Sequence, residues 1–387
     1  MNTTTGDQYL VKKINKAIVL DAIRKHGPLS RAQLSDLTGL NKGTVSTLAG
    51  ELIEEKLASE IGLGRSSGGR KPVMLLFNRT AGYAVGIDLG VRYALAVLTD
   101  LEGRIVAEEQ RELERRDADY ALDVLAATVK ALIAQAPESP YGIVGAGIGV
   151  AGIVDDKGTV LFAPNLEWEN VELQRLVQDA LGIPVAIDNE ANAGALGEMY
   201  YGAGKEASDI VYLSVGTGIG AGIVIGKHLM KGSGGFSGEI GHTTIETNGK
   251  KCPCGNKGCW EQYASERALM DMAKPLGIER FDGLVEAACQ GSPEAIRLFH
   301  EVGESLGVGI ANIVNTFNPE LVVIGNQMTR AEPWIRNAIE RVVSMRSLPF
   351  HRRQAQIRFA SLDTHSAVLG AAHYAISAFF AKERVTL

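Results

Sequence analysis

The sequence predicts a DNA-binding head of the winged helix-turn-helix type carried on an α/β body of two lobes with a cleft between them. Three observations predict it. Short amphipathic helical segments joined through Gly39 are followed by two apolar strands with a glycine-rich cationic tip. The rest of the chain twice repeats an apolar strand, a tight glycine turn and a returning strand. Charge divides the same way: residues 1–80 hold 12 Lys or Arg against 7 Asp or Glu, a net +5, leaving −11 for the remainder of a chain of net charge −6. A basic head on an acidic body suggests a nucleic-acid-binding module joined to something else.

The head begins with Lys12 to His26, whose apolar residues Ile14, Ile18, Ala22 and Val19, Ile23 recur at helical spacing. Gly27-Pro28 ends it. Ser30 followed by Gln33 is a capping box: the hydroxyl reaches the third helical amide and the glutamine reaches back. The helix that follows is expected to bury Leu34 and Leu37 and to stop at Gly39. Asn41 is an N-cap for the next helix, with Val45, Leu48 and Leu52 on its inner face. That is the recognition helix of a helix-turn-helix, presenting Lys42, Thr44, Ser46 and Thr47 near its N-terminus. Hydroxyls can bond bases or phosphates and Lys supplies charge. Ala58 to Ile61 and Val73 to Phe77 read as strands, and Arg65, Arg70 and Lys71 between them make the wing, suited to a negative groove.

In the body, Gly82 to Asp100 reads as two strands about a turn, and Ile105 resumes a third. Leu122 to Ala134 is helical. Val144 to Gly152 is a buried strand running into a glycine loop, and Val185 to Asn189 is another strand. The pattern recurs at Ile210 to Gly226. There Gly216-Thr217-Gly218-Ile219-Gly220 reads either as a phosphate cradle or as a tight β-turn. A chain of 387 residues has room for two or three domains. It contains no apolar run of the roughly 18 residues a membrane helix needs, and Met1 to Gly6 has no signal-peptide core. The expectation is a cytoplasmic protein.

His242, Cys252, Cys254 and Cys259 lie within one short glycine-rich stretch. One His and three Cys complete a tetrahedral zinc ligand set with no position left for water, which points to a structural Zn2+. A disulfide pair with a bystander histidine is the alternative. Cys289 is expected to pack in a helix core.

This stretch, together with Asp188-Asn189-Glu190-Ala191-Asn192, Gly238-Glu239-Ile240-Gly241-His242 and the Gly216 turn, resembles the ROK family of repressors and sugar kinases. Ser66 to Met74, Asn189 to Gly194 and Cys254 to Glu261 resemble its xylose-responsive repressors, and the likeness runs nearly end to end. The resemblance implies an actin-like, ribonuclease-H-like body. Its first lobe would span residues 81–198, with residues 366–387 packing back on it, and its second lobe, residues 199–365, would hold the zinc site. It places sugar contacts on Asn165, Asn189, Glu239, His242 and Glu261, with Glu190 beside them. Carboxylates, amides and imidazole suit hydroxyls that both donate and accept. His242 would hold zinc with one ring nitrogen and face sugar with the other.

Two departures argue against catalysis. Val91-Arg92 stand where the family kinases have a permissive Gly-Thr, and Glu190 stands where they have a catalytic Asp. The expectation is therefore a repressor and not an enzyme, with operator DNA and xylose as partners and a homodimer or higher homo-oligomer as its state, since helix-turn-helix proteins commonly read two-fold sites. A sugar kinase with an appended DNA-binding head is the alternative.

Overall fold

The computed structural model describes residues 8–63 and 72–381. The head holds α1 (Gln8–His26), β1 (Leu29–Ser30), α2 (Arg31–Thr38), α3 (Lys42–Glu54), β2 (Ala58–Leu63) and β3 (Val73–Phe77). The capping box forms: Ser30 Oγ accepts from the Gln33 amide and Gln33 Oε1 accepts from the Ser30 amide. Gly39 ends α2 at φ 71°, a left-handed conformation that glycine adopts without strain. Asn41 caps α3 by accepting from the Thr44 amide at 2.8 Å. The three strands pair antiparallel in the order β1-β3-β2. Leu34, Val45, Leu48 and Leu52 are buried, but Leu37 is 53 % exposed. An eight-residue helix offers the core a narrow stripe, and Leu37 falls outside it. Ile18 likewise lies on the exposed side of α1.

The first body sheet is built from β4 (Tyr83–Leu89), β5 (Tyr93–Asp100), β6 (Ile105–Glu112), β7 (Ile143–Val150) and, further along, β11 (Val185–Asn189), with α4 (Ala118–Ile133) between β6 and β7. A small antiparallel sheet, β8 (Ile153–Val154), β9 (Val160–Ala163) and β10 (Trp168–Val171), follows β7. Then come α5 (Leu173–Leu181), β11 (Val185–Asn189) and α6 (Glu190–Tyr201). The second sheet comprises β12 (Ile210–Val215), β13 (Ile219–Ile225) and β14 (His228–Leu229), and later β15 (Leu321–Gly325) and β16 (Gln356–Phe359). Its helices are α7 (Glu261–Ala264), α8 (Glu266–Ala273), α9 (Phe281–Cys289) and α10 (Pro293–Phe317), then β15 (Leu321–Gly325), α11 (Glu332–Arg346), β16 (Gln356–Phe359) and α12 (Ser366–Ala381).

The sheet orders are β11-β7-β4-β5-β6 and β14-β13-β12-β15-β16. In each, an antiparallel three-strand meander supplies one edge and two parallel strands the other. The two lobes thus share one topology, the duplicated arrangement of actin-like and ribonuclease-H-like proteins. The glycines in the strands have a packing role. A Cβ on Gly86 or Gly147 would lie 2.0 or 1.9 Å from a carbonyl oxygen of α12, so α12 rests directly on β4 and β7. Cys289 ends α9 and is exposed, not packed in a core. Among the described residues, no helix is long and apolar enough to cross a membrane.

Candidate effector site, metal centre and DNA-binding face

The glycine-poor first turn of α6 lies directly against β13. Gly220 would place a Cβ 3.3 Å from Ala191 Cβ, and Gly222 one 2.4 Å from the Ala191 carbonyl. This contact brings Asn189 and Glu190, at the start of α6, near the segment that follows β13. That segment returns to β13 at Gly238, whose carbonyl accepts from the Ala221 amide at 3.0 Å. Glu239 follows immediately and is exposed, and His242 ends the next helical turn.

Asn189 caps α6 by accepting from the Ala191 amide at 2.8 Å, and its Nδ2 donates to the Gly152 carbonyl at 2.9 Å. Its amide is therefore held in one orientation. Gly152 packs against Ala163, two residues before the half-buried Asn165. Glu261 is buried, and its Oε1 lies 3.9 Å from His242 Nδ1, 3.3 Å from Cys252 Sγ and 3.3 Å from Arg267 Nη2. A Cβ on Gly218 would approach Glu261 Oε2 to 2.9 Å, so the Gly216 turn closes over this carboxylate.

His242, Cys252, Cys254 and Cys259 present ligand atoms all within 4.8 Å of one another, an arrangement able to hold a metal ion. His242 Nδ1 lies 3.6 Å from Cys252 Sγ, and Cys254 Sγ lies 3.7 Å from Cys259 Sγ. Because Nδ1 faces the sulfurs, Nε2 is left for another partner. Burial pushes the Cys252 thiol up to about 12, so a thiolate there needs a cation beside it.

Glu190 behaves differently from the other five sugar candidates. Its Oε1 accepts from Ser214 Oγ of β12 at 3.0 Å, and Ser214 Oγ accepts from Asn326 Nδ2 at 3.1 Å. The longer side chain therefore bridges from α6 to the second sheet. It lines a cavity of about 200 Å³ together with Asp88, Tyr93, Tyr212, Asn326 and Asp363. The bulk at the Gly90 turn is supplied by Tyr93 and not by Arg92, which is exposed. The Tyr93 ring lies 2.4 Å from where a Gly90 Cβ would be, and its hydroxyl donates to Asp88 Oδ2 at 2.8 Å. Tyr93 and Ser214 were not legible as site residues, since single Tyr and Ser residues carry no spacing signal.

On the head, α3 leaves Lys42, Ser46 and Thr47 exposed and Thr44 half-buried. Thr47 Oγ1 donates to the Gly43 carbonyl at 3.2 Å. The wing cations Arg65, Arg70 and Lys71 lie outside the described residues.

Residues 84–378 match the model of the ROK family. The chain is 44 % identical over 378 residues to the xylose repressor of Bacillus subtilis (strain 168), covering 97 % of this chain and 98 % of that one. It is 29 % identical to the N-acetylglucosamine repressor of Escherichia coli O157:H7 over 94 % of this chain and 92 % of the other. Among solved structures, a ROK family transcriptional regulator, a homologue of the E. coli MLC protein, superposes with a TM-score of 0.83 at 28 % identity. It covers 96 % of this chain and 97 % of that one. A ROK family glucokinase from Streptomyces griseus, in complex with glucose and AMPPNP, gives a TM-score of 0.68 at 34 % identity. It covers 76 % of this chain and 99 % of its own.

Proposed function

The chain belongs to the ROK family, and on that premise we propose that it is a transcriptional repressor, not an enzyme, whose hold on operator DNA is released by xylose. The observation that carries this is the extent of the likeness. The xylose repressor matches head and body alike, whereas the glucokinase accounts for 76 % of the chain. Tyr93 over Gly90 and Glu190 bonded to Ser214 support the same reading, because both lie where the chain departs from the family kinases.

In this reading Lys42, Thr44, Ser46 and Thr47 enter the major groove while Arg65, Arg70 and Lys71 hold the backbone or minor groove. Asn165, Asn189, Glu190, Glu239, His242 and Glu261 line the sugar site. The ion is Zn2+: at Zn–S bonds of about 2.3 Å a tetrahedral site sets sulfurs roughly 3.8 Å apart, close to the spacing of Cys254 and Cys259. Its role is to fix His242, whose Nδ1 faces the sulfurs. A homodimer suits a helix-turn-helix reading a two-fold operator.

The test is DNA titration of the purified chain with and without D-xylose or D-glucose, with zinc counted by elemental analysis. DNA affinity should fall with xylose and far less with glucose. ATP-dependent sugar phosphorylation by the same preparation would defeat the proposal.

A further inference from the structure

Asp188 is buried at the end of β11, one residue before Asn189. Its carboxylate joins four parts of the molecule. Oδ1 accepts from the Asn189 amide at 2.7 Å and from Asn192 Nδ2 of α6 at 2.9 Å. Oδ2 accepts from the Tyr374 hydroxyl of α12 at 2.9 Å and pairs with Lys231 Nζ at 2.6 Å. A charge-assisted pair on a buried carboxylate is the strongest of these links.

Lys231 opens the segment that ends on Glu239. The Lys231 carbonyl accepts from the Ser237 amide at 3.1 Å, which closes the segment on itself. A Cβ on Gly235 would lie 3.3 Å from the Val154 carbonyl of β8. The segment therefore leaves the second sheet, meets the first lobe at Val154 and at Asp188, and delivers Glu239 to the cleft.

The other partner of Asp188 leads to the head. α12 contacts β4, β7 and α6 backbone to backbone: a Cβ on Gly197 would lie 1.9 Å from the Ser366 carbonyl. Such packing has no side-chain slack, so α12 shifts as a body or not at all. Beyond Tyr374, Ile376 and Phe380 share one core with Val19, Ile23 and Phe77 of the head. The Phe77 and Phe380 ring centroids are 6.1 Å apart, and Arg24 of α1 sits 4.9 Å over the Phe380 ring.

We propose that Lys231, Asp188 and Tyr374 form the relay by which sugar in the cleft reaches the DNA-binding head, with α12 as its rigid member. The inference rests on the repressor reading above. Sugar bound to the Glu239 segment biases where Lys231 sits. Asp188 then divides its hydrogen bonding differently between Lys231 and Tyr374, and α12 moves against α1. Coupling of this kind requires contacts that differ between two lobe arrangements, and a charged pair across the cleft supplies one.

Two substitutions in the full chain test it, with D-xylose and a DNA duplex selected by the native chain from a random-sequence pool as probes. Tyr374→Phe keeps the ring and removes the hydroxyl. Lys231→Met removes the charge from a side chain that is 40 % exposed. Each variant should bind xylose and sugar-free DNA within about threefold of native, while the factor by which xylose weakens DNA binding falls about tenfold, inside the usual 5–150-fold range of such couplings. The double variant should lose no more than either single variant, since both cut one path. A native chain indifferent to xylose overturns the repressor reading itself. A responsive native chain with full response in both single variants overturns the relay alone. Loss of xylose affinity in step with the response overturns it too, by making these residues part of the sugar site.

Discussion

Asp88 and Glu190 place two carboxylates in one cavity, and that has a consequence for pH. Burial, then the Asp88 charge, pushes Glu190 up from 4.5 to about 8. Burial raises Asp88 as well, while the Tyr93 hydroxyl opposes the shift. The folded chain thus keeps a proton on Glu190 that the unfolded chain releases above about pH 4.5. Stability is fully present below that value and is lost as pH rises through about 8. Glu190→Gln is neutral throughout and should flatten this slope. Urea midpoints at pH 5 and pH 8 measure it: the native midpoint should drop between them by more than that of the variant, and parallel profiles would discard the argument. At this scale the sequence was legible where chemistry is packed into a short stretch, as in His242 to Cys259. It was silent on Tyr93 and on the partners of Asp188, which are fixed only when distant strands and helices meet.

Among elements, glycine does two opposite things, and the two can be separated. Gly147 lies under α12, where a Cβ would meet the Ala371 carbonyl at 1.9 Å. Gly147→Ala should therefore destabilise by about 3 kcal/mol, the upper part of the usual cost of overpacking. Gly50 sits inside α3 with nothing within 4 Å of its would-be Cβ. Gly50→Ala should stabilise by about 1 kcal/mol, because alanine loses less backbone entropy in a helix. Denaturant unfolding of the two variants decides, and shifts of the same sign would contradict the packing account. Local signals of this kind made α2, α3 and β4 to β7 readable, since caps, glycine turns and short apolar runs act within a few residues. The small sheet β8 to β10 escaped, because strands of two and four residues carry no period. Leu37 and Cys289 were misplaced for a related reason: each lies at a helix end, where periodicity no longer says which side the core is on.

For the molecule as a whole, the head is not a bead on a string. Its core continues into the body through Ala81, Ala84, Leu101, Ala375, Ile376 and Phe380. Tyr141 of the body donates to the Glu55 carbonyl at the end of α3 at 3.0 Å and stacks edge-on against Phe379. α12 therefore completes the fold of the head, which joins head and body into one cooperative unit. Phe380 is 5 % exposed and touches both Phe77 and Arg24. Phe380→Ala leaves a cavity at this junction, and truncations of that size cost about 3–5 kcal/mol. The loss falls where head and body join, so calorimetry should show the single native transition split, with the head melting first. DNA affinity should fall as well, although Phe380 is far along the chain from α3. A single transition with unchanged DNA affinity would mean that the head folds and docks independently of α12. A split transition with intact affinity would mean that the junction stabilises the head without setting its posture on DNA. Only a split transition together with weakened binding is what a head held in place by α12 requires.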